Sequence, residues 1–317
     1  MSERGEVISL VALGDIALGG AFVNAGRDSA TVRGLKQAVG SSDICFASLD
    51  CTFGSGTGRN PADYVINAPE RTMDTLVDLG ASVVSLANNH SLDHGAPGLL
   101  NTQRQLAERE IEFLGAGADS EEAGRPLVVE MKGMRVGFLA YASTHPWVGS
   151  LAATADSAGV APLEADFIEA GITQLHREVD WVVVSAHWGK ENLHLPPPEC
   201  RALGRQMIDW GAHIVLGHHP HVIQGREVWA GGHIFYSLGN CLYPDYSDQG
   251  LYFGGAQRQS LLVRFAISSE AVSIAKIVPL EMDDTCSVNS LLGEGREEVE
   301  KLLERWSRIL VASDYNV

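Results

Sequence analysis

The residues with the most chemistry to offer are not spread evenly along the chain. They stand where short apolar runs stop. Asp15 follows Val7–Leu13, Asp50 follows Ile44–Leu49, and Asn88-Asn89-His90 follows Val83–Ala87. His187 follows Val182–Ala186, and Gly217-His218-His219-Pro220-His221 follows Ile214–Leu216. Carboxylate, amide and imidazole donors without a thiolate suit Mn, Zn, Fe(II) or Mg rather than an iron–sulfur cluster. Taken singly, most members have an ordinary reading. An Asp after a strand commonly caps a helix or opens a turn. Asn88-Asn89-His90 fits a left-handed turn, and His187 beside Trp188 fits a core imidazole bonded to backbone. His218-His219-Pro220-His221 differs, because three imidazoles in four residues have no packing rationale. A metal or phosphate site accounts for them.

The elements that must position these residues follow from periodicity. Apolar, β-branched runs predict strands over Val7–Leu13, Ile44–Leu49, Val83–Leu86, Arg135–Tyr141, Trp181–Ala186, Ile214–Leu216, Ile234–Tyr236, Ser260–Phe265 and Val272–Val278. Helical patterns run over Thr31–Val39, Glu70–Leu79, Gly98–Glu110, Ala165–Glu178 and Glu199–Gly211, several of them closing at a glycine that fits an αL cap. This alternation predicts an α/β fold, and in such sheets ligands bind beyond the carboxyl ends of the strands. From about residue 234 the pattern turns strand-rich and closes with a charged helix over Gly295–Leu310, all within a single domain spanning 1–317. The turn-rich segments Gly54–Asn60 and Tyr243–Gln259 are candidate functional loops.

Charge and composition narrow the function. Against 23 Lys+Arg stand 40 Asp+Glu, a formal charge of −17 over 317 residues, which disfavours nucleic acid and anionic membrane surfaces as partners. With 45% hydrophobic and 20% charged residues the chain has ample material for a core. No run approaches the roughly 20 apolar residues of a membrane span, and Val7–Leu13 reads as a buried strand rather than a signal segment. The five scattered cysteines lack a CxxC spacing, which predicts reduced thiols and a cytoplasmic location.

The order Gly14-Asp15, Ser48-Leu49-Asp50, SLANNHSLDHG (85–95), AHWGKE (186–191), GAHIVLGHHPHVIQG (211–225) and IFYSLGN (234–240) resembles the CapA-type poly-γ-glutamate capsule synthesis proteins. These belong to the calcineurin-like metallophosphatase superfamily. The resemblance runs from about Val7 to Asn240, with a weaker echo over Arg258–Phe265. It implies an αββα sandwich with the metal site at the strand C-terminal ends, and one or two divalent ions (Mn, Zn, Fe or Mg). Carried over by motif, Asp15, Asp50 and His221 hold a first metal, and Asp50, Asn89, His187 and His219 a second. Asp50 bridges the two, His90 acts near the leaving group, and His218 falls outside the ligand pair. Two positions depart from the pattern. Ala17 stands where the superfamily's first block usually has His, and Asp50 stands where the CapA branch usually has Glu. His94 is a candidate replacement ligand, or a substrate contact.

The chemistry implied is hydrolysis of a phosphoester or a γ-glutamyl amide by a metal-activated water, with His90 oriented by Asp93 or Asp50. The alternative is a non-hydrolytic, metal-binding component of polymer or secondary-metabolite synthesis that positions an anionic chain. Around the rim, Glu191 and His145 are candidates for substrate contact, with Glu191 alternatively orienting His187. Arg258 and Lys190 are candidates for gripping an anion, against the plainer reading of solvated surface charge. The expected substrate is a small or polymeric anion.

Overall fold

The computed structural model describes residues 6–25, 30–54 and 64–312. Of the expected loop Gly54–Asn60, all but Gly54 lies outside the described residues. Two sheets carry the fold. The first runs through β1 (Ile8–Ile16), β2 (Ile44–Leu49), β3 (Val83–Ser85) and β4 (Glu112–Leu114), all parallel. The second is built on β6 (Met134–Ala142), β7 (Trp181–His187), β8 (Ile214–His218) and β10 (Gly232–Phe235), also parallel.

Antiparallel strands finish both sheets. Next to β1, β12 (Gln259–Ile267) leads to β13 (Val272–Met282) and β14 (Val288–Ser290), while β11 (Asn240–Leu242) pairs with the end of β1. In the second sheet β5 (Leu127–Met131) pairs with β6, and β9 (Arg226–Trp229) with β10. These two edge strands escape the sequence pattern because they are only partly buried. Their turns were readable: Lys132-Gly133 and Ala230-Gly231 both have positive φ at each position, the geometry of a tight hairpin.

The period of two along β6 sorts its side chains between layers. Val136, Phe138, Ala140 and Ala142 join the core shared with the first sheet, where Phe46 of β2 lies parallel to Phe138 with ring centroids 6.0 Å apart. Leu139 and Tyr141 face the other way, onto α4 (Ala165–His176) and α5 (Pro198–Asp209). In α4 the buried residues Ile168, Ile172 and Leu175 recur at helical spacing on one face. Beside the first sheet lie α1 (Ala30–Val39), α2 (Asp74–Leu79) and α3 (Gly95–Ala107), whose buried Leu35, Leu76, Leu99 and Leu106 join its core. The layers are helix, sheet, sheet, helix, as the resemblance implied. The terminal helix α6 (Gly293–Val311) lies against β9 and β13, one strand from each sheet.

Two helices start elsewhere than expected. The predicted helix from Glu70 is a 3-10 turn over Glu70–Thr72 followed by α2, since Thr72 bonds Pro69 through both its amide and its hydroxyl. The helix predicted from Gly98 begins at Gly95, because Pro97 is tolerated in a first turn that has no bond to lose. The five cysteines are free and buried. Among the described residues, no helix is long and apolar enough to cross a membrane.

Candidate metal centre

Both sheets deliver their polar residues to one place. β1 extends past Leu13, so Asp15 pairs with Ser48 of β2 and Asn240 of β11, and its amide donates to the Gly239 carbonyl at 3.0 Å. His187 and His218 are the last residues of β7 and β8 and sit side by side. His219 and His221 then turn with φ of 93° and 57°, left-handed conformations that cost a non-glycine residue about 1–3 kcal/mol each. The turn is pinned on three sides. The His219 amide donates to Asp15 Oδ2 at 3.1 Å, Trp188 N–H to the His218 carbonyl at 3.1 Å, and Asn192 N–H to the Pro220 carbonyl at 2.8 Å.

Ligand atoms of Asp15, Asp50 and His221 lie within 4.8 Å of one another, and so do those of Glu191, His219 and His221. Asp15, Asp50, His187 and His219 are wholly buried. Neither oxygen of Asp50 has a hydrogen-bond partner, nor does Nδ1 of His187, and neither ring nitrogen of His219 has one of hydrogen-bonding geometry. An unpaired buried carboxylate is costly, and unpaired carboxylate oxygens and imidazole nitrogens gathered at one rim are what divalent cations satisfy. The donor set therefore fits the ion that the motifs imply.

The electrostatics agree. Burial pushes the Asp50 carboxyl up to about 6 against the pull of His90, with Asp15 adding to the rise. Burial also opposes ionisation of Asp15, but the close imidazole of His218, with Nδ1 3.1 Å from Asp15 Oδ1, holds its carboxyl below the ordinary range. Burial and His219 push His187 well below the usual imidazole value, and burial and His221 bring His219 down to about 3. Both rings are thus neutral, the form that binds metal. His90 goes the other way. Burial would lower it, but Asp93 Oδ2 lies 2.9 Å from its Nδ1 and raises it.

Other expected residues find varied places. Asn89 Oδ1 meets His187 Nε2 at 2.8 Å, and its amide nitrogen meets His90 Nε2 at 3.1 Å. Asp93, rather than Asp50, orients His90. The carboxylate of Glu191 stands within 4.8 Å of nitrogens of His219 and His221. Arg258 is not an open grip for an anion, since its guanidinium donates to the carbonyls of Phe253 and Asp283 and pairs with Asp245 and Asp284. His94 stands at the start of α3 with its Cβ against Gly98, and it belongs to neither ligand cluster among the described residues. His145 accepts from the Trp147 indole at 2.6 Å. Asn240 carried no assigned role in the sequence, yet its Oδ1 lies 2.8 Å from His221 Nδ1. The loop from Tyr243 also reaches the site, with Tyr243 against His221 and Phe253 against Tyr243.

Residues 9–245 match the family described as bacterial capsule synthesis protein PGA_cap. The chain belongs to this family. It is 33% identical over 223 residues to the capsule biosynthesis protein CapA of Bacillus anthracis, covering 69% of the chain and 52% of that protein. It is 28% identical over 291 residues to the PGA biosynthesis protein CapA of Bacillus subtilis, covering 88% and 73%. The chain thus spans about half the length of the first relative and about three quarters of the second. Among solved structures, a putative 5'-nucleotidase from Staphylococcus aureus aligns with TM-score 0.54 at 12% identity over 95% of the chain and 59% of its own. The calcineurin-like phosphoesterase YfkN of Bacillus subtilis aligns with TM-score 0.50 at 11% identity over 96% and 97%. At these identities the likeness is one of fold: this PGA_cap member shares the fold of a putative 5'-nucleotidase and a calcineurin-like phosphoesterase.

Proposed function

We propose that this PGA_cap protein is a metal-dependent hydrolase that cleaves a phosphoester or a γ-glutamyl amide in an anionic substrate. The observation that carries the reading is the wholly buried Asp50, which has two unpaired oxygens and lies among the Asp15 and His221 donors. Asp15, Asp50 and His221 would hold one divalent ion. Asn89, His187 and His219 would hold a second with Asp50, and Glu191 is at hand beside His219 and His221. Such an ion supplies Lewis acidity and lowers the pKa of water.

The protein's own residues do the rest. Asp93 fixes the proton on His90 Nδ1 and leaves Nε2 turned toward Asn89. Asp93 raises the proton affinity of His90, which favours a ring able to donate to a leaving group. His218 and Asn240 orient Asp15 and His221. The second reading, a metal-binding component that positions an anionic chain without cutting it, is favoured by Ala17, which removes an imidazole from the first-metal set.

The test combines metal analysis with turnover of an aryl phosphate and a γ-glutamyl anilide by Mn-loaded protein. His219→Ala and Asn89→Ala should lose metal with the fold intact by circular dichroism. His90→Ala should keep metal and lose about 10²–10⁴-fold in rate. If metal-loaded protein cleaves neither ester nor amide, the hydrolase reading falls and the positioning role replaces it. Unchanged metal stoichiometry in both ligand variants would refute the centre itself.

A further inference from the structure

Beside the metal centre stands a fixture that its ligands do not use. Trp147 is a large aromatic residue left 58% exposed. Its indole Nε1 donates to His145 Nε2 at 2.6 Å, with the two rings within 20° of parallel. The ammonium of Lys190 sits 3.7 Å from the centre of the Trp147 ring. A cavity of about 100 Å³ opens here, lined by Ser143, His145, Trp147, Trp188, Lys190 and Glu199 among others.

Both arms of this fixture are tied to the ligand loop. The Lys190 segment is anchored to the His218 carbonyl through Trp188 and to the Pro220 carbonyl through Asn192, and the next residue, Glu191, reaches His219 and His221. The Trp147 loop leaves β6 with Ser143 N–H on the His187 carbonyl at 2.9 Å, and is closed by Val148 and Gly149 N–H on the His145 carbonyl. Lys190 is therefore a cation fixed in position relative to the metal ligands.

Its charge is otherwise unspoken for. Among the described residues Lys190 forms no ion pair with a carboxylate, whereas Arg258 is engaged by Asp245 and Asp284. The nearest acidic wall of the cavity, Glu199, is exposed. An ammonium has three N–H donors, and a ring face occupies at most one of them in a cation–π contact. The remaining donors need an acceptor, and in a chain of net charge −17 a fixed cation at the rim is a discriminating feature.

We infer, building on the function proposed above, that Lys190, held by Trp147 and His145, is the specificity-determining group that receives a carboxylate of the substrate outside the bond to be cut. Ions held by the Asp15, Asp50, His219 and His221 set would take the scissile group, and Lys190 selects chains with an acidic substituent next to it. Trp147 and His145 are positioning residues: they hold the ammonium in place and limit the side-chain freedom that an exposed lysine would lose on binding.

The experiment is isothermal titration of metal-loaded full-length protein carrying His90→Ala, which suppresses turnover. The probes are γ-linked triglutamate and the same trimer with its α-carboxylates amidated. Triglutamate should bind more tightly than the neutral trimer by about tenfold or more, as a charge-assisted contact implies. Lys190→Met should collapse that gap while metal stoichiometry stays constant, Lys190→Arg should retain part of it, and Trp147→Phe should retain more than Trp147→Ala. A Lys190→Met protein that still prefers triglutamate by the same factor, or that loses both trimers equally, overturns the assignment. So does AMP binding that needs Trp147 but not Lys190, which would make the ring a stacking platform. The two readings fail separately. Loss of turnover in the parent with the preference intact removes only the hydrolase, and turnover without preference removes only the role of Lys190.

Discussion

Asp50 is the residue whose state most depends on a cation. Buried, it holds its proton up to about pH 6, whereas an unfolded chain releases it near pH 4. A carboxyl raised on folding contributes stability that is fully present below about pH 4 and lost as pH rises through about 6, an amount of about 3 kcal/mol. Asp15, held below the ordinary range, acts in the opposite sense and only in more acid solution. The buried imidazoles of His187 and His219 act against this over the same range, so the contribution of Asp50 is read as a difference: metal-free parent should lose stability relative to metal-free Asp50→Asn as pH rises from about 4 to 6. At pH 7.5 with chelator, Asp50→Asn should unfold at higher denaturant than the parent, and with metal the order should invert. Urea titrations at the two conditions decide it; a metal-free variant weaker than the parent at pH 7.5 would sink the account.

At the scale of elements, the centre depends on how closely strands approach. A Cβ on Gly217 would lie 1.9 Å from the Tyr236 carbonyl oxygen, and one on Gly14 would lie 2.0 Å from that of Gly239. Both glycines precede ligands, and both abut the same segment, residues 236–239. Gly217→Ala should cost about 1–3 kcal/mol through overpacking and weaken metal binding by displacing the His219–His221 turn. Gly254→Ala, where a Cβ meets open space, is the control. Denaturation midpoints and metal titrations on the pair test this, and equal behaviour of the two variants would contradict it.

The same segment explains what was and was not legible beforehand. Asp15, His187 and the His219–His221 turn could be read because apolar runs stop abruptly in front of them, a local signal. Asn240 could not, because its role comes from pairing with Asp15, far away in the chain. The neighbours of Glu191 were hidden for a related reason: its spacing from His187 suggested a substrate contact or a partner for His187, while the pinned turn brings His219 and His221 beside it. Lys190 and Arg258 looked alike as cations, and only the surrounding carboxylates separate them.

For the whole molecule, the proposed ligands come from both sheets: Asp15, Asp50 and Asn89 lie in or after strands of the first, and His187, His219 and His221 in or after those of the second. A bound ion therefore stabilises their docking as well as the site. Mn at about 100 times its dissociation constant should add about 2.7 kcal/mol and raise the thermal midpoint by roughly 2 °C or more. Scanning calorimetry with and without chelator checks this, and a midpoint indifferent to metal would count against ligands shared between the sheets.

The bridge from Tyr236 to Asn240 also sets an order of events during synthesis. Asp15, Asp50 and Asn89 leave the ribosome well before Gly239 and Asn240, the residues that seat Asp15 and orient His221. A growing chain has half of a chelate and no frame to hold it. An ion bound at this centre would be acquired only once the strands of both sheets have come together, and would be chosen by what that fold meets rather than by what the nascent chain passes on the way.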